Sequence, residues 1–316
     1  MSVFINIFEA VAVLIGMGVI GFWIISRRVL PENAFGLLSP LALDVALPAL
    51  IFSNIISNFD PVAFPSWWVL PLWWAGFTLL AGLMTLLLTP LSEKRFRSEF
   101  ALSLFYHNVL FLPLAVLTGM MGPDATIITQ LFLFTLFFPS LFFGTYHLFF
   151  KNAEKSIDMK KILNPVMISV LAAVAIRLAN LHVLVPGFVL EGLKMIGHMT
   201  LPIVMIIIGG NIYLDFKGKG RLYGKEIVKF IIAKNIVFPL VALGILLIVR
   251  PSYEIALIII LESAVPPLTA VPLVTERAGG NRALVNQFFF SSFLVSIVTL
   301  PAILTLFEYF FKPGAP

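Results

Sequence analysis

Apolar runs of roughly twenty residues follow one another from end to end of this chain, with only short polar stretches between them. A run of that length crosses a hydrocarbon core about 30 Å thick as a helix rising about 1.5 Å per residue. Lipid offers no partner to a free backbone N–H or C=O, so each run must close its hydrogen bonds within the protein. Ten runs can be placed, at about 3–26, 34–57, 66–91, 99–120, 125–150, 162–182, 187–214, 225–249, 254–275 and 283–311. Composition agrees: 60% of the residues are hydrophobic, 12% are charged and the mean hydropathy is +1.03. The reading is an all-α integral membrane protein.

Charge placement orients it. The net charge of +5 and a pI near 9.5 would suit nucleic acid, but the basic residues fall in short loops rather than on one face. Loops after the odd-numbered runs hold 16 lysines and arginines and the opposite side holds two, Arg250 and Lys312. An excess of basic residues marks the cytoplasmic side, which places both termini outside the cell membrane. The first run lacks a basic leader and a small-residue cleavage site, so it is expected to be retained. The chain has no cysteine, which removes disulfides, thiolate metal sites and cysteine nucleophiles. No nucleic acid, cofactor or metal centre is expected, and assembly as a homodimer is left open.

Two local self-matches organise the runs. "LALDVALPALIF" around Pro48 resembles "MIGHMTLPIVMI" around Pro202, and "FLPLAVLTGMMGPDATIITQLF" resembles "AVPLVTERAGGNRALVNQFF". Each pairs span n with span n+5. A repeat of five spans is odd, so the second copy enters from the opposite side as an inverted repeat. The halves are 1–151 and 162–316, joined by a basic cytoplasmic linker at 152–161.

The stretches "DVALPALIFSNI", "MKKILNPVMISVL", "HMTLPIVMIIIGGNIY", "AKNIVFPLVALGILL" and "SAVPPLTAVPLVTERAGGN", in this order and spacing, resemble the auxin efflux carrier family of membrane transporters. That family includes plant carriers and bacterial carboxylate permeases. The resemblance implies a fold like that of the bile acid:sodium symporters, with spans one, two, six and seven as scaffold and spans three to five and eight to ten as transport domain. It also implies that spans four and nine are broken and cross at the substrate site. Asn108 matches the asparagine that family members place before the span-four proline. The plant carriers' Asn-Pro-Asn type stretch is replaced here by "YHNVLFLP", so the resemblance carries the site's location rather than one substrate.

The residues give a physical reason for the breaks. Proline has no N–H and displaces the carbonyl four residues before it, so Pro266, Pro267 and Pro272 free the carbonyls of Glu262, Ser263 and Leu268, and Pro113 frees that of Val109. Free carbonyls at membrane depth are tolerated where they line a cavity or meet a partner, and a helix that restarts after a break points N–H groups at an anion. Candidate substrate contacts are His107, Asn108, Pro113, Glu262, Ser263, Pro266, Pro267 and Thr269. Asn108 offers both a donor and an acceptor. A charged group at mid-membrane costs at least about 2.5 kcal/mol, which singles out Glu262 as a coupling group, a substrate contact or half of a structural pair. His107 titrates near neutral pH and is a proton or substrate candidate. Asp44 and His198 stand four residues before Pro48 and Pro202, at equivalent repeat positions. Asp44 would bind a coupling cation or pair with Lys194 or Lys234, and His198 reads as an interior histidine.

Other features are structural. "SWWVLPLWW" reads as an interfacial aromatic belt, the phenylalanine run of span five as lipid-facing or packing surface, and Gly209 and Gly210 as a close helix approach, with Asn211 as a lesser gate candidate. "GKGRLYGK" lacks the features of a phosphate loop. The expected activity is secondary transport of a small organic anion, carboxylate or auxin-like, by alternating access, with Na+ or H+ as coupling ions to be weighed. Membrane voltage, negative inside, favours efflux of an anion. The rivals are a sodium-coupled anion symporter and a non-transporting membrane sensor of the same fold.

Overall fold

The computed structural model describes residues 2–31, 34–150, 164–217 and 222–311. The linker expected at 152–161 lies outside the described residues, as does the first half of the "GKGRLYGK" loop, 218–221. Among the described residues every regular element is helical, and the extended pairing is a single antiparallel bridge between His107 and Pro267. The helices are α1 (Ser2–Ser26), α2 (Phe35–Pro40), α3 (Leu47–Asn58), α4 (Leu70–Leu88), α5 (Arg97–Phe105), α6 (Phe111–Met121), α7 (Thr126–Phe134) and α8 (Phe138–Thr145). The second half gives α9 (Pro165–Leu178), α10 (Gly187–His198), α11 (Thr200–Lys217), α12 (Gly224–Ile231), α13 (Phe238–Val249), α14 (Tyr253–Ala264), α15 (Val271–Arg277) and α16 (Arg282–Phe311).

Seven stretches of the described residues are long and apolar enough to cross a membrane without interruption. The other three expected spans take shorter forms. The run near 99–120 is split into α5 and α6, and the run near 254–275 into α14 and α15. α9 covers 14 residues, opened by Asn164, whose side chain accepts from the Met167 N–H at 3.0 Å, with Pro165 in the first turn where no N–H is missed.

Two helices widen to π-helical turns, at Leu41–Ala46 and Ile232–Val237. Each turn runs up to an X-Pro step, Leu47–Pro48 and Phe238–Pro239. A proline ring pushes away the carbonyl four residues back, and the chain answers by bonding five residues back: Leu47 N–H reaches the Ala42 carbonyl and Phe238 N–H that of Ala233. The second of these turns carries Lys234 and Asn235 into the interior.

Packing sorts the helices into two groups. α1 lies along α11, and α3 along α9 and α10. Glycines make these approaches close: a β-carbon on Gly209 would stand 1.7 Å from the Gly18 carbonyl oxygen, one on Gly21 2.2 Å from that of Ile206, and one on Gly197 2.6 Å from the Leu50 Cα. Small residues let membrane helices bring backbones together where lipid gives no hydrophobic drive between them. Gly209→Leu should therefore lower stability by at least about 1–3 kcal/mol. An unchanged thermal midpoint in detergent would show that α1 and α11 do not pack this way.

The second group surrounds the interrupted helices. Phe230 of α12 stacks on Phe288 of α16 with centroids 4.4 Å apart, and Phe100 of α5 meets both edge-on. Lower-energy aromatic geometries of this kind add to the burial of large apolar area. Of the span-five phenylalanines, Phe132, Phe134, Phe138 and Phe142 are buried packing residues, while Phe137 is exposed. At the opposite end of the group, Glu226 accepts from Ser92 and Lys229, each at 2.6 Å, and Glu99 accepts from the Asn281 N–H at 2.8 Å.

Candidate functional site

The interruption between α5 and α6 and the one between α14 and α15 lie against each other. Asn108 N–H donates to the Pro266 carbonyl and Leu268 N–H to the Tyr106 carbonyl, both at 2.9 Å. These two bonds flank the His107–Pro267 bridge, so two broken helices are joined by a scrap of antiparallel strand. The geometry answers the hydrogen-bond problem set by the prolines. Donors that helix continuation cannot use are paired across the break instead.

Two of the freed carbonyls can be followed. Pro267 cannot donate to the Ser263 carbonyl, and that oxygen accepts from Lys234 Nζ at 3.2 Å. Pro272 cannot donate to the Leu268 carbonyl, which accepts from Val271 N–H at 3.1 Å. Tyr106 anchors its strand through Thr145: the Thr145 hydroxyl donates to the Leu141 carbonyl, so Tyr106 is the donor to Thr145 Oγ1, at 2.6 Å.

Lys234 is the centre of the arrangement, fully buried at 0% exposure. Its Nζ forms a hydrogen bond of 2.5 Å with His107 Nδ1 and lies 4.9 Å from the Phe238 ring centroid, in cation–π range. His107 is held between Phe77 and Phe238, with centroids 5.4 and 4.9 Å away, and its Nε2 has no hydrogen-bond partner among the described residues. Glu262, also at 0% exposure, makes no ion pair of 4.0 Å or less with Lys234, and neither carboxylate oxygen has a hydrogen-bond partner among the described residues. Ser263 turns its hydroxyl back to the Ile260 carbonyl at 2.6 Å. The π-helical turn carrying Lys234 is tied to α16, because Asn235 Nδ2 donates to the Ser292 carbonyl and Ser292 Oγ donates to Asn235 Oδ1.

Asn108 is a further exception to hydrogen-bond satisfaction at the crossing. Its backbone is used in the bridge, but the fully buried side chain has neither Oδ1 nor Nδ2 partnered among the described residues. Buried unpaired polar atoms are uncommon in native proteins and call for an explanation such as a ligand or an ion. Two small hollows adjoin this place, with about 10 and 20 Å³ of water-sized space, room for about one water each. One is lined by Tyr106, His107, Phe77 and Trp74, the other by Val109, Leu110, Ile51 and Val170.

The structure thus brings together His107, Asn108, Glu262, Ser263, Pro266 and Pro267. Pro113 is buried in the first turn of α6 and Thr269 is half-buried at the end of the second interruption. Asp44 and His198 are exposed. Among the described residues Asp44 has no ion pair with Lys194 or Lys234, since Lys234 is engaged inside by His107 and Ser263. Asn211 is exposed as well. Sequence reasoning gave Lys234 only the part of a partner for Asp44. The signal that could have raised it is a lone cation at mid-span, next to an asparagine and five residues before a proline.

Among the described residues no three His, Cys, Asp or Glu side chains form a metal-binding group. The arrangement offers binding chemistry: a buried ammonium, a buried carboxylate, an imidazole and a free amide at a break in two helices. Comparison with curated proteins gives no match. A family model described as membrane transport protein matches residues 6–157 and 145–304, which together span nearly the whole chain and include both interruptions. The chain is a multi-span membrane transporter belonging to the membrane transport protein family, the family of the auxin efflux carriers.

Proposed function

We propose that this protein is a secondary transporter that carries a small organic anion, a carboxylate or an auxin-like acid, across the cell membrane by alternating access. In this reading its ten spans form two inverted five-span halves, 1–151 and 162–316, with both termini outside. The observation that carries it is the unpaired Asn108 amide beside the Lys234 ammonium where the two broken helices meet. A buried cation and a free amide N–H are suited to a carboxylate, which accepts several charge-assisted bonds at once. The N-terminus of α6 adds a positive dipole end at the same break.

Movement would be a displacement of the group around the interruptions against the group containing α1, α3, α9, α10 and α11. These groups touch where α1 meets α6 and α16 and where α3 meets α7; at the last, Thr129 Oγ1 donates to Asn54 Oδ1 at 2.7 Å, a buried bond that one rigid-body arrangement makes and another would release. Reconstituted protein should show saturable flux or binding of at least one member of a panel of carboxylates and indole acids. Absence of both for every member would falsify the reading.

A further inference from the structure

Resting on the transport reading above, we propose that Asn54 and Asn58 form a two-rung amide ladder on α3, and that Thr129 of α7 passes from the first rung to the second as the group around the interruptions moves, which sets the length of the step.

The rung in use is Asn54. Thr129 Oγ1 donates to its Oδ1 at 2.7 Å, and both residues are buried. Other helical threonines behave differently: Thr135, Thr145, Thr275, Thr299 and Thr305 each turn the hydroxyl to the carbonyl four residues back. Thr129 directs its hydroxyl across the boundary between the two groups instead. The surface around this bond is largely apolar, with Ile51, Val166 and Val170 on one side and Phe132 and Leu136 on the other. A second bond between the groups, from Ser140 Oγ to Met167 Sδ at 3.3 Å, uses a thioether, a weak acceptor. Apolar faces can slide past each other, but parting Thr129 from Asn54 leaves buried polar atoms unmet unless a new partner is at hand.

The helix provides one. Residues four apart lie on one face, so Asn58 stands one turn beyond Asn54, on the side that Asn54 turns to α7. Its Nδ2 is buried and has no hydrogen-bond partner among the described residues. A threonine hydroxyl accepts as well as donates, so Thr129 can take this N–H after a shift of one turn, about 6 Å. α7 carries a matching gap, because Gln130 Oε1, next to Thr129, is also buried without a partner among the described residues. An unmet donor on one helix and an unmet acceptor on the other, each beside the bond that is made, are what a second arrangement of the same two faces would use. Packed elements shift by whole turns because intermediate positions satisfy neither rung. In the orientation proposed above α3 runs outward, so the second rung carries the crossing toward the outer face.

The chain has no cysteine, so the rungs can be probed with introduced pairs. A disulfide forms where two Cβ atoms come within about 4 Å. Full-length protein in proteoliposomes, carrying Thr129→Cys with Asn54→Cys, Asn58→Cys or Leu50→Cys, would be oxidised and denatured, and its remaining thiols counted with a maleimide reagent. Both asparagine pairs should lose their free thiols. The Leu50 pair, one turn away on the same face in the other direction, should keep them. Thiols retained in the Asn58 pair, or lost equally in the Leu50 pair, overturn the proposal. If the Asn54→Cys protein does not fold, Asn58 against Leu50 decides alone. Thermal unfolding gives a second readout: Asn54→Leu should lower the midpoint, while Asn58→Leu should leave it unchanged or raise it, and the reverse order would make Asn58 a structural residue of the present arrangement and overturn the ladder. Failure of the transport reading would appear elsewhere, as the absence of flux and binding for every anion, and would leave the thiol counts readable.

Discussion

Lys234→Met should destabilise the protein by about 3–5 kcal/mol, the range for removing one partner of a buried charged pair. On the scale of domains somewhat smaller than this chain, that corresponds to a fall in melting temperature on the order of 10 °C. The loss has identifiable parts. Methionine nearly matches the lysine stem in volume, so little of the effect is a cavity. What disappears is the positive charge near Glu262 and the donor shared by the Ser263 carbonyl and His107 Nδ1, leaving a carboxylate, a carbonyl and an imidazole nitrogen buried without it. The double variant Lys234→Met, Glu262→Gln should recover more than half of the loss, because both charges are then gone. Thermal unfolding of the two single variants and the double closes the cycle. Strictly additive losses would show that Lys234 and Glu262 do not act on each other.

How far this site could be read from the sequence depends on the kind of information each residue carries. Proline acts locally: Pro266 and Pro267 announce a break wherever the chain puts them, and the break in span nine is found there. The span-four break is less plainly written. Pro113 falls inside the first turn of α6, and the interruption comes earlier, at 106–110, where Tyr106 and Asn108 are drawn into pairing with the other break. That pairing joins residues roughly 160 positions apart in sequence, and no local pattern announces it.

Lys234 is illegible for the same reason. As a single residue it resembles the other in-span cations Arg177 and Lys194, and its meaning lies in partners at 107 and 263. Repeat symmetry is a weaker guide than contact. Asp44 and His198 are equivalent by position, yet both side chains are exposed, because the π-helical turn at 41–46 and the last turn of α10 carry them to the surface of their helices. Gly209 was readable because a residue without a side chain between apolar neighbours in a span has few uses other than close approach, and Gly18 lies against it.

Asn108→Ala should separate binding from stability. An amide that meets a carboxylate gives a hydrogen bond to a charged group, worth about 1.5–3 kcal/mol, so the variant should bind its anion roughly 10- to 150-fold more weakly. The empty protein should respond in the opposite sense. Both polar atoms of the side chain are buried and unpaired, and replacing them with a methyl removes an unfavourable burial rather than a bond, against a small cavity term. The midpoint without ligand should thus stay within the equivalent of about 1 kcal/mol of the wild type or rise. A residue that serves only the fold would behave in reverse, losing stability with little change in affinity. His198→Ala is the matched control, since His198 is exposed at the end of α10 and should change neither quantity. Saturable flux and thermal unfolding, measured on the same preparations with whichever carboxylate the panel identifies, supply both readouts. Equal loss of binding in the two variants would mean that the anion does not sit at the crossing, and the unpaired amide of Asn108 would then need another partner.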